Sequence, residues 1–301
     1  MMRKAGLLFQ AACLCAVTGL GAAAQDASAP DRVAYMVKPS DADSAITQFD
    51  EASVVLFNRG AGPNAQLAIF LPGTGGRPQN VQPLLGVVAN QGYRVIGLEY
   101  DDTPAVVQVC PRDPNPNCSA NFREERIFGS GADAPVQNPP EEAIVHRLVM
   151  LLRYLDRRHP EEHWAGYLAG DEPAWSRIVI SGLSQGAGMA AYIAKRKPVA
   201  RVVLFSSPWD FQAPPQTLAP WIGGPSVTPP ERWFAELHRR EKTAALIAQS
   251  YRLLQIPPAN VLVFDLDLPE GKDVGGNPFH GSTVHMPGYI PQWQFLYGRS
   301  P

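Results

Sequence analysis

Short apolar runs rich in β-branched residues alternate with stretches whose apolar positions recur at helical spacing along most of this 301-residue chain. The runs that read as strands cover residues 53–57, 66–71, 93–98, 177–181, 201–205 and 261–264, with 232–238 a weaker seventh. Between them, residues 81–90 read as a helix ended by Gly92. Residues 141–158 read as a longer one, with Ile144, Val145, Leu148, Val149, Leu152 and Leu155 on one face. Asn138, Pro139 and Glu141 supply an N-cap, a first-turn proline and a capping acid for that helix. Residues 185–197, closed by Pro198, and 242–254 complete the helical set. Strands alternating with helices predict an α/β protein with a mostly parallel sheet.

Residues 101–140 break the rhythm. They are rich in Pro, Asn, Asp and Gly and hold Cys110 and Cys118, and they read as an insertion beside the active site. With 45% hydrophobic residues and no internal repeat, residues 25–301 are expected to form a single domain around one large core.

The first residues, Met-Met-Arg-Lys, precede an apolar stretch over 5–22 and the triplet Ala22-Ala23-Ala24. That three-part pattern predicts a signal peptide over 1–24 and an exported product, periplasmic or extracellular. Gln10, Thr18 and glycines interrupt the run, and no basic stop-transfer segment follows, so stable membrane insertion is not expected. Neither Cys13 nor Cys15 has a leucine three residues before it, against a lipidated start. In an oxidising compartment, Cys110 and Cys118 are expected to pair as a disulfide across their Pro-rich loop. Two cysteines alone cannot complete a zinc shell. A formal net charge of −2, or −4 once Arg3 and Lys4 leave with the leader, gives no footprint for nucleic acid or an anionic surface.

The chemistry is carried by Gly182-Leu-Ser184-Gln-Gly186, set between the strand at 177–181 and the helix at 185–197. A strand–turn–helix junction this tight strains the backbone of its central residue, and the flanking glycines remove side chains that would collide. The helix start then aims free N–H groups at the place where an oxyanion would form. Ser184 is therefore expected to be a nucleophile. A second Gly-rich turn, Pro72-Gly-Thr-Gly-Gly76, follows the strand at 66–71. The backbone N–H groups of Thr74 and Gln185 are the expected oxyanion donors.

Together with a late histidine, these motifs resemble the α/β-hydrolase superfamily of serine esterases and lipase-like enzymes, over most of the chain from Leu67 onward. Pro72 departs from many members, which carry histidine before the oxyanion glycine. The resemblance implies an α/β-hydrolase fold, no cofactor, and the order serine, acid, histidine. His280, in a Gly/Pro-bounded loop, is the preferred base over His285 and His238. For the acid, Glu241 after the strand at 232–238 is preferred to Asp210, which follows the strand at 201–205, and to Asp265 and Asp267. The implied activity is cleavage of a small-molecule or polymeric carboxylic ester through an acyl-enzyme.

Two other readings remain open. One is a catalytically inactive hydrolase fold used for binding. The other is a zinc peptidase built on His159, Glu162 and His163, which fit H-x-x-E-H but carry Pro160 where a continuous helix is needed. Trp209, Phe211, Trp221, Trp233 and Trp293 are taken first as packing residues and second as pocket lining.

Overall fold

The apolar runs pair into an eight-stranded sheet. In chain order its strands are β1 (Arg32–Val37), β2 (Ser53–Asn58), β3 (Leu67–Leu71), β4 (Arg94–Gly97), β5 (Ile178–Leu183), β6 (Arg201–Phe205), β7 (Trp233–His238) and β8 (Val261–Phe264). The spatial order is β1-β2-β4-β3-β5-β6-β7-β8. β2 runs antiparallel to both β1 and β4, and every other neighbouring pair is parallel. The computed structural model describes residues 31–131, 133–270 and 277–300, so the leader expected over 1–24 lies outside the described residues. Residues 31–301 form one compact unit.

β3 and β5 read as nearly continuous apolar runs because both faces of the sheet are covered. The two-residue period divides each strand between two cores. Leu67, Ile69, Leu71, Ile178, Ile180, Val202 and Leu204 face one side. There they meet helices α3 (Ile144–Arg158), α4 (Gln185–Arg196) and α5 (Ala244–Leu253) through Leu148, Leu152, Ala190, Ile193 and Ile247. Ala68, Phe70, Val179, Val203 and Phe205 face the other side. They pack on α1 (Gln82–Asn90) and the C-terminal α7 (Ile290–Tyr297) through Leu84, Leu85, Trp293 and Leu296. This order, with an antiparallel second strand and the tight turn after β5, is the α/β-hydrolase fold. β3 lies between β4 and β5, so chain order reverses there, and the carboxyl ends of strands at such a reversal are where open α/β sheets place their ligands.

Several elements differ from the sequence expectation. β1 was not expected, although Val33 to Val37 is an unbroken apolar run; it is an edge strand on which only Val33 and Val37 are buried. α3 begins at Ile144 behind Ala143, and a separate 3₁₀ turn spans Pro140–Glu142. Glu142, rather than Glu141, fixes this corner, its Oε1 accepting the N–H groups of Thr47 (2.8 Å) and Gln48 (3.1 Å) and its Oε2 pairing with Arg147.

The largest difference lies in 101–140. It is an ordered insertion carrying the eleven-residue helix α2 (Cys118–Phe128). α2 escaped the periodicity because the face it buries includes Arg123, Glu125 and Arg126, which are compensated by partners instead of being apolar. Arg126 pairs with Asp101, and Glu125 accepts N–H groups from Gly131 (2.8 Å) and Asn138 (3.0 Å). Gly129, at φ 69°, closes the helix with its N–H on Glu125 O. Cys110 and Cys118 form the expected disulfide, Cα–Cα 5.6 Å, tying the start of α2 to the turn before it. No described helix is long and apolar enough to cross a membrane.

Candidate functional site

Ser184 sits at φ 54°, ψ −117°, a conformation that side chains rarely adopt. Its N–H donates to Phe205 O (2.9 Å), and its own carbonyl accepts Gly188 N–H (3.0 Å), so the strain is held by β6 on one side and the first turn of α4 on the other. The flanking glycines are required by contact. A Cβ on Gly182 would lie 2.5 Å from the Gly186 carbonyl carbon, and one on Gly186 would lie 2.0 Å from Leu71 O. Ser184 is partly exposed above this packed turn.

The Pro72–Gly76 turn packs directly on the elbow, since a Cβ on Gly73 would approach the Ser184 Cβ at 3.1 Å. Three ties set its shape. Tyr100 donates its hydroxyl to Pro72 O (2.8 Å), Gly76 N–H bonds Gly73 O (2.8 Å), and Gly75 N–H bonds Asp102 Oδ1 (3.1 Å). Thr74 is left exposed at the tip. Arg77 pairs with Glu99, whose carboxyl burial nonetheless pushes up to about 7. Gln185 is the first residue of α4, where backbone N–H groups have no partner within the helix.

His280 lies in the first turn of a helix, α6 (Pro278–His285), and not in a loop as the sequence suggested. Its Nδ1 meets Glu241 Oε2 at 2.7 Å, which leaves Nε2 for another partner. The imidazole is 18% exposed and the carboxylate fully buried, so the bond is shielded from water on the acid's side. Glu241 Oε1 accepts the backbone N–H of His238 (2.8 Å) and the hydroxyl of Ser206 (3.0 Å).

Behind it lies Glu236, also fully buried, whose Oε1 is 3.4 Å from Ser206 Oγ. Burial, and then the neighbouring Glu241, push the Glu236 carboxyl well above its ordinary range. The Ser206 hydroxyl thus lies between the two acids, within reach of Glu236 Oε1 at 3.4 Å and of Glu241 Oε1 at 3.0 Å. Ser206 and Glu236 were not singled out in the sequence. A serine after β6 and an apolar-flanked glutamate inside β7 carry no motif of their own.

Asp210 is placed differently. Arg123 grips it with Nε at 2.8 Å and Nη2 at 2.5 Å, and Trp221 Nε1 donates at 3.0 Å. Both charges are buried. Gly188 makes room for this pair: a Cβ there would lie 2.2 Å from Arg123 Nη2. Asp265 and Asp267 lie at the surface beside Arg239 and Arg240. His238 is buried with Nδ1 accepting Arg240 N–H (3.1 Å) and Nε2 donating to Leu266 O (3.1 Å). Burial favours its neutral form. His285 donates Nδ1 to Gly281 O (2.6 Å), one turn back on its own helix.

The H-x-x-E-H residues do not share a helix. His159 ends α3, Pro160–Glu162 is a 3₁₀ turn, and His163 takes the left-handed conformation. Both Glu162 carboxylate oxygens are occupied, by Tyr35 Oη and Trp164 Nε1 at 2.6 Å each. His159 stacks on Tyr35 with ring centres 4.3 Å apart. His159, Glu161 and Glu162 do approach one another within 4.8 Å, yet the Glu162 oxygens already serve packing. Trp233 and Trp293 are fully buried, and Trp209 and Trp221 flank Asp210.

A cavity of about 20 Å³ adjoins Ser184, lined among others by Val106, Arg123, Trp209 and Asp210. A cleft of about 630 Å³ lies elsewhere, between α3 and the end of α4. Its cations are paired, Arg153 with Asp171, Arg196 with Glu124 and Lys197 with Glu172, and none of the residues around Ser184 lines it.

Neither a family model nor a curated protein matches the chain. Among solved structures, similar chains include carboxyl esterase 2 from the mycorrhizal fungus Tuber melanosporum, at 10% identity and TM-score 0.45 over 90% of this chain and 87% of that one. A bacterial heroin esterase is similar at 17% identity and TM-score 0.45, over 91% and 86%. A dienelactone hydrolase-like promiscuous phosphotriesterase from metagenomic libraries is similar at 12% and 0.44, over 90% and 100%.

Proposed function

We propose that this chain is an exported serine hydrolase that cleaves a carboxylic ester through an acyl-enzyme intermediate. The observation that carries the reading is the 2.7 Å bond between His280 Nδ1 and the buried Glu241, in the same fold that holds Ser184 at a strained elbow. Ser184 Oγ attacks the ester carbonyl while His280 Nε2 takes its proton. Glu241 holds the imidazole in the tautomer that leaves Nε2 basic, and stabilises the imidazolium once it forms. The Thr74 and Gln185 amides stabilise the oxyanion, and His280 then returns the proton to the departing alkoxide. Water attacks the acyl-enzyme by the same route, with His280 again as base. Export is supported by the leader pattern over 1–24 and by the Cys110–Cys118 disulfide.

The test is covalent labelling by a fluorophosphonate with peptide mapping, beside turnover of p-nitrophenyl esters. The label is expected on Ser184, and Ser184→Ala is expected to lose both label and turnover while keeping the wild-type unfolding midpoint. A folded wild-type protein that neither labels nor turns over any ester would instead favour a binding role for the fold.

A further inference from the structure

The segment over 101–140 supplies one wall of the cavity at Ser184, through Val106, Val107 and Arg123. Gln185, the residue after the nucleophile, holds that wall in place. Its side-chain amide donates to Pro104 O (3.4 Å) and its Oε1 accepts Val106 N–H (3.3 Å). The insertion is gripped from the far side as well, by Ala213 N–H on Pro111 O (2.7 Å) and Gln212 Nε2 on Asn115 O (3.2 Å). Within the insertion, the disulfide joins the helical turn that carries Val106 and Val107 to the helix that carries Arg123. The space between these walls is about 20 Å³, little more than the volume that one water-sized group needs.

We propose that this cavity is an acyl subsite that admits a two-carbon acyl group and excludes longer ones, making the enzyme selective for acetyl esters. The inference rests on the ester-hydrolase reading above. The leaving oxygen must face the imidazole that protonates it, so the alcohol portion belongs on the His280 side. His280 does not line this cavity, which leaves it for the acyl group.

Its walls are Val106, Val107 and Trp209, and its polar end is the Arg123–Asp210 pair. A methyl group fits against Val106 and Val107. Each further methylene would have to displace Trp209, whose ring lies 6.3 Å from that of Phe211, or press apolar surface on a buried ion pair already satisfied by Trp221. The reaction on such a substrate is acetyl transfer to Ser184 Oγ with release of the alcohol, followed by hydrolysis to acetate.

The experiment measures kcat/KM for p-nitrophenyl acetate, butanoate and octanoate, with wild type and with Trp209→Ala and Val107→Ala. Fluorophosphonate labelling of Ser184 serves as a check that each protein is folded and competent. Wild type is expected to fall at least tenfold from acetate to butanoate, because one surplus methylene in a hydrophobic pocket is worth roughly 10- to 200-fold. Each wall variant is expected to raise the butanoate-to-acetate ratio at least tenfold while still labelling. A wild type that labels but turns over butanoate or octanoate as well as acetate overturns the subsite and leaves the hydrolase reading intact. An acetate preference that neither wall variant relaxes also overturns it, since the selectivity would then come from elsewhere. Absence of both labelling and turnover removes the parent reading, and this one with it.

Discussion

Asp210 and Glu241 are both buried acids that follow neighbouring parallel strands, β6 and β7, and on sequence grounds either could serve His280. Their surroundings separate them. Glu241 accepts an imidazole, a backbone N–H and a hydroxyl, none of which carries a fixed positive charge. Asp210 is held by both forks of the Arg123 guanidinium and by an indole N–H. A carboxylate gripped bidentately by a buried guanidinium cannot turn to another partner without stranding the cation. Two acids of similar burial thus sit in different settings: Glu241 is placed to hold an imidazole, and Asp210 neutralises the arginine that fastens α2 to the elbow helix.

Four substitutions would break or sharpen this contrast. The largest expected effect is on Glu241→Gln, which should lower kcat by about four orders of magnitude, as removal of the carboxylate charge does in a serine-protease triad. Steady-state ester turnover checks it, and Asp210→Asn should fall well short of that loss. A crippled Asp210 variant beside a near-normal Glu241 variant would reverse the assignment.

Asp210→Asn should instead act on stability. Leaving Arg123 buried and unpaired is expected to cost about 3–5 kcal/mol in denaturant unfolding. Gly188→Ala comes next, at about 1–3 kcal/mol, because its new methyl would strike the Arg123 guanidinium. Combined with Asp210→Asn, its cost should be less than additive, since both act on the same ion pair. Additive costs in that double variant would mean that the glycine and the pair are independent.

The smallest effect belongs to Glu236→Gln and is visible only against pH. Burial raises the Glu236 carboxyl above its unfolded value of roughly 4.3. The folded protein therefore keeps a proton that the unfolded chain releases, and stability from this group is full below that value and lost as pH rises toward the raised one. Glutamine does not titrate. The variant should match wild type near pH 4 and gain on it as pH rises, as read from urea unfolding at a series of pH values. A constant offset across the range would show that Glu236 stays charged in the fold.

The expected strands were legible because β3, β5 and β6 are buried on both faces and must be apolar along nearly their whole length. The elbow was legible for a different reason. Gly182 and Gly186 are required by backbone contacts that no side chain survives, so the constraint is written into local sequence. β1 and α2 were not legible. β1 is apolar from Val33 to Val37 but exposes half its residues on the sheet edge, so its run does not mark which face is buried, and α2 buries arginines and a glutamate compensated by polar partners, so it carries no apolar period.

By itself, the sequence determined the alternation of strand and helix, the turn that strains Ser184, and two cysteines spaced for a short bridge. These depend on residues within a few positions of one another, where steric and periodic constraints act directly. Only the tertiary structure decided which partner each acid meets. Asp210 finds Arg123 across 87 positions and Glu241 finds His280 across 39. A carboxylate's partner is set by which strand ends and inserted helix the sheet order brings beside it, and that order is a property of the whole packed core rather than of any segment's composition.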